Sequence, residues 1–84
     1  MNSDIQITLS EDEALVLFEF FARFQETDIL QLKNNAEFIA LSTVSAQLDK
    51  ILPHPFLSNY TQLLNEAQAR LAGDYDGLAP GVRP

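Results

Sequence analysis

Of the eleven residues from Ala14 to Phe24, nine are apolar, and the two exceptions are Glu19 and Arg23. The run is too short and too interrupted to span a membrane, which takes about 20 apolar residues. It is headed by Ser10-Glu11-Asp12-Glu13, a capping box in which the serine oxygen takes the amide three residues on and the glutamate reaches back. Three acids in the first turn also suit the positive end of a helix dipole. A helix over about 11–26 follows. Glu19 and Arg23 are four apart in the favourable order for an ion pair. With Asp12 and Glu26 they mark a narrow polar stripe. The opposite side, centred on Phe21 with Ala14, Leu17, Phe18 and Phe24, is expected to be core, with Leu15, Val16 and Phe20 closer to the stripe. A helix this apolar is enclosed on more than one side.

The remaining segments are organised around that helix. Residues 5–9, Ile-Gln-Ile-Thr-Leu, alternate apolar and polar as a short strand does. With no second strand in the chain, they are expected either to lie as an extended arm with Ile5, Ile7 and Leu9 on the helices, or to pair with another chain. Ile29, Leu30 and Leu32 suggest a linker that packs, as a helical turn. Asn34-Asn35-Ala36-Glu37 offers a second capping box. A second helix over about 35–52 then carries Phe38, Leu41, Ser45, Leu48 and Leu52 on one face, with Ala40, Val44 and Ile51 beside it. Pro53 stops it, and Pro53-His54-Pro55 is a stiff connector. A third helix over about 59–72 has Tyr60, Leu63, Leu64, Ala67 and Leu71 as its apolar stripe and Gly73 as its stop. The expected fold is all-α, a small three-helix bundle with a short N-terminal extended strand or arm. Residues 1–72 form the domain, and residues 73–84, with Gly77, Pro80, Gly81 and Pro84, form a flexible tail.

Eighty-four residues, 46% of them apolar and 20% charged, fit one ordinary domain with a modest core. With no cysteine, disulfides and Cys-ligated zinc are excluded, so packing alone must hold the chain, or packing helped by a partner. The start of the chain lacks the basic and apolar regions of a secretory peptide, and a cytoplasmic location is expected. The net charge of −7 is concentrated. Asp4, Glu11, Asp12, Glu13, Glu19, Glu26 and Asp28 face one base, Arg23, in residues 1–28. The rest of the chain has five acids against four bases. Such a balance gives the sign of a partner, which is basic.

No catalytic constellation is visible, and the chain reads as no enzyme. The single histidine, His54, sits between two prolines as a surface residue. Ser42, Ser45 and Ser58 have no base beside them. Asp74-Tyr75-Asp76-Gly77 resembles part of a calcium loop, but Pro84 falls ten residues after Asp74, before the twelfth-position glutamate such a loop needs. Neither metal nor cofactor is expected. Direct nucleic-acid binding needs clustered cations, whereas Arg23, Lys33, Lys50, Arg70 and Arg83 are scattered. Glu11, Asp12 and Glu13 are accounted for by capping. Glu26 and Asp28 are not, because they fall where the helix dipole disfavours negative charge. Together with Glu19 and with Phe20, the aromatic nearest the stripe, they are the candidate partner-binding residues.

The segment Leu9 to Glu19, with Pro55-Phe56-Leu57-Ser58-Asn59-Tyr60 and Leu63-Leu64-Asn65-Glu66-Ala67, resembles a family of short, acidic, all-helical bacterial proteins of the immunity-protein and antitoxin kind. The likeness covers about residues 7–72 in overall pattern and carries over no catalytic residue. It implies a cytoplasmic inhibitor that neutralises a nuclease-like toxin. The alternative is a structural module that forms a homodimer or joins a larger assembly.

Overall fold

Three helices form in the computed structural model, which describes residues 4–27, 29–53 and 57–82. They are α1 (Glu11–Thr27), α2 (Asn35–Ile51) and α3 (Tyr60–Ala72). This is the expected all-α three-helix bundle. Each boundary has a local cause. At the start of α1 the Glu13 amide donates to Ser10 Oγ at 3.0 Å, and the Ser10 amide donates to Glu13 Oε1 at 2.8 Å, completing the capping box. At its end, Thr27 Oγ1 donates to the Arg23 carbonyl and accepts from the Ile29 amide. The second cap is a variant. Asn34 Oδ1 accepts from the Glu37 amide at 3.2 Å, but the Glu37 carboxylate accepts from the backbone amide of Lys33, one residue before the cap. At the end of α2 the Leu52 amide still donates to Leu48, and Pro53 has no N–H with which to continue. Gly73 closes α3 with its amide on the Ala69 carbonyl and φ at +49°, a conformation that favours glycine.

α1 lies in the middle of the bundle. α2 and α3 each pack along it, while contact between α2 and α3 is marginal. Two separate core clusters result among the described residues. On one side Leu15 meets Leu64 and Ala67 of α3, with Val16, Tyr60 and Leu63 around them. On the other, Phe21 meets Leu48 and Leu52, with Leu9, Ala14, Leu17, Phe18, Phe20 and Leu41 packed against them. Enclosure of α1 on two sides follows from its composition. Leu15 departs from expectation. Its position closer to the polar stripe predicts exposure, yet it is among the most buried side chains, because the stripe side is where α3 docks.

Several apolar residues expected to pack do not. Ile5 and Ile7 are 91% and 75% exposed, and only Leu9 of the arm reaches the core. No strand forms among the described residues. Ile29 is exposed, Leu30 and Leu32 are half-buried, and residues 29–34 contain no helical turn. The first six residues of α2 are all exposed, Phe38 and Ala40 of the expected apolar face among them. No helix among the described residues is long and apolar enough to cross a membrane.

Candidate functional site

α3 runs antiparallel to α1 and occupies part of its polar stripe. Arg70, near the end of α3, grips Asp12, near the start of α1. Its Nε donates to Oδ2 and its Nη2 to Oδ1, both at 2.9 Å. This two-pronged geometry suits a guanidinium and a carboxylate. The Arg70 hydrogen bonds hold the Asp12 carboxyl below its ordinary range. At the other end of α3, the Tyr60 hydroxyl donates to Glu19 Oε1 at 2.9 Å. Partial burial, and then the bond to Glu19, push the Tyr60 phenol up to about 12. The two contacts set the register of α3. Asp12 and Glu19 lie seven residues apart on α1, and Tyr60 and Arg70 lie ten apart on α3.

The Tyr60 contact makes stability depend on alkaline pH. From pH 10 to about 12 the unfolded chain releases the phenol proton while the folded chain keeps it. Stability from this group is therefore complete below pH 10 and declines across that window. In a Tyr75→Phe variant, Tyr60 is the sole remaining tyrosine, so absorbance near 295 nm should report a midpoint close to 12. A midpoint near 10 in the folded protein would mean that Tyr60 is neither desolvated nor bonded.

The candidate residues therefore separate. Glu19 is half-buried and its carboxylate already serves Tyr60. It forms no ion pair with Arg23, whose guanidinium instead sits 5.7 Å above the Phe20 ring. Phe20 is half-buried, edge-on to Phe21 at 5.5 Å. Glu26 is exposed and has no hydrogen bond or ion pair among the described residues. Asp28 lies outside the described residues, as does His54. Among the described residues no three His, Cys, Asp or Glu side chains converge as metal ligands.

A feature that sequence reasoning missed lies between α1 and α2. An open groove of about 280 Å³ has Phe18, Ala22 and Gln25 on its α1 wall. Its α2 wall is Ser42, Ser45, Ala46 and Asp49. Gln25 Nε2 donates to Ser45 Oγ at 3.3 Å across it. A smaller crevice lined by Phe24, Leu41 and Ser42 adjoins it through the shared Gln25, Ser42 and Ser45. The signal was present in the spacing, because Phe18, Ala22 and Gln25 fall at i, i+4 and i+7, and so do Ser42, Ala46 and Asp49. The small side chains among them cannot fill the space between two helices. Comparison of the chain with protein-family models, curated proteins and solved structures finds no match.

Proposed function

We propose that the chain is a non-catalytic binding protein that occludes a basic partner, most concretely a cytoplasmic immunity protein that neutralises a nuclease-like toxin. One observation supports this reading above the others. Unpaired carboxylates and exposed apolar side chains occur together on α2 and at the end of α1. Glu26 and Asp49 are exposed without a cation among the described residues, and Phe38 and Ile39 on α2 are 51% and 63% exposed. Such a surface desolvates apolar anchors at its centre and meets cations at its rim. Glu26 sits at the negative end of α1, where the dipole adds to its field. Glu19 contributes through the oxygen that Tyr60 leaves free. Phe20 is already flanked by Phe21 and Arg23, so Phe38 replaces it as the apolar anchor.

Affinity capture from the source cells, eluted with a salt gradient, tests the reading. It expects one basic protein that leaves at raised salt and whose toxicity in a foreign host is relieved by co-expression of this chain. Glu26→Lys with Asp28→Lys should weaken that complex by about tenfold or more at low salt. Unchanged affinity would remove these two acids from the interface.

The homodimer reading draws on one different observation. Ala40, Val44 and Ile51 form an exposed stripe on α2 at i, i+4 and i+11, the spacing of a helix–helix seam. Capture of nothing but a second copy, with a mass that rises with concentration in light scattering, would favour it.

A further inference from the structure

We infer that the groove between α1 and α2 seats a basic amphipathic helix of the partner, about three turns long, as a fourth helix against the bundle. The inference rests on the basic-partner reading and specifies where and how that partner binds. The shape of the groove argues for a helix. It is bounded by two helices whose backbone groups are bonded within themselves, so an added strand would find no ladder to join. Ala22, Ser42 and Ala46 are small, which lets a third helical backbone approach closely and nest its side chains between the two walls.

The α2 wall sets the length and polarity of the occupant. Ser42, Ser45 and Asp49 line it, and Phe38, one turn before Ser42 on the same helix and outside the lining, extends this face to a span of about 16 Å. Phe38 is exposed at one end and offers an apolar contact. Asp49 is exposed at the other and has no partner among the described residues. The groove lining holds this carboxylate and no lysine or arginine. On α1, Glu26 falls one turn beyond Ala22 on the same face and is equally unpaired. An occupant with an apolar stripe and flanking lysines or arginines complements these features.

The test uses the full chain and three synthetic fourteen-residue probes, followed by backbone NMR shifts and fluorescence anisotropy. The first probe is an amphipathic Leu/Lys helix, the second its Leu/Glu counterpart, and the third the Leu/Lys composition with two prolines that prevent a helix. The inference expects the first alone to bind, with shifts concentrated at Phe18, Ala22, Ser42, Ala46 and Asp49. Ala46→Arg, at an exposed position, should weaken it by about tenfold or more by filling the groove, and Asp49→Lys by about threefold or more. Circular dichroism verifies that both variants keep their helices. Binding of the Leu/Lys helix elsewhere on the chain, unaffected by Ala46→Arg, would overturn the groove and leave the basic-partner reading standing. Equal binding of the Leu/Glu helix in the groove would overturn the charge argument and that reading together. Equal binding of the proline probe would overturn the helical occupant, and binding of none would overturn the inference.

Discussion

Phe21→Ala is expected to destabilise the protein by about 3–5 kcal/mol, the range for a large aromatic removed from a packed site. Among the described residues, Phe21 is one of three buried members of the α1–α2 cluster, and Leu48 and Leu52 both pack on it. Its ring also supplies the edge contact that holds Phe20. A domain of 84 residues has a total stability of about 4–13 kcal/mol. Among the described residues, six buried apolar side chains are a thin core, so this protein belongs in the lower part of that range. The variant should therefore be substantially unfolded at room temperature, which urea titration followed at 222 nm would show as a lost or very low midpoint. A loss below about 1 kcal/mol, within the reach of an ordinary surface substitution, would mean that α2 is not anchored where the structure places it.

The three helices were legible because local chemistry and periodicity agreed. Ser10 with Glu13, Asn34 with Glu37, Pro53 and Gly73 each mark an end at which the backbone groups have a stated partner or none to give. What could not be read was the direction from which each neighbour approaches α1. The stripe of Asp12, Glu19, Arg23 and Glu26 has the pattern of a solvated face, and a single helix cannot show that another helix carries complementary polar groups at the matching rise. Arg70 and Tyr60 do so, turning Asp12 and Glu19 inward and burying Leu15 between them. The same gap explains the arm. Ile5 and Ile7 alternate as a packed strand would, but α2 and α3 leave no further apolar face of α1 for them to cover. Of the four candidate site residues, Glu26 keeps the exposed, unpaired carboxylate that its position at the helix end suggested. Glu19 and Phe20 are engaged within the fold, and Asp28 lies outside the described residues.

Ala67→Leu should separate the two roles of α3 more sharply than any polar substitution. Ala67 is fully buried against Leu15 and Leu64, and its small size sets how closely α3 approaches α1. Three added carbons have nowhere to go except by pushing the helices apart, at a cost of about 1–3 kcal/mol. Ala69→Leu is the control, since Ala69 is exposed on the same helix and the two residue types have similar helix propensity. The displacement would also stretch the Arg70–Asp12 and Tyr60–Glu19 contacts, which are made at 2.9 Å and tolerate little lengthening. The Tyr60 phenol should accordingly fall from about 12 toward 10 in Ala67→Leu and stay high in Ala69→Leu. A stable Ala67→Leu protein with an unshifted phenol would show that α3 can repack around a leucine, and that the polar pairs, rather than the buried alanine, fix the spacing of the two helices.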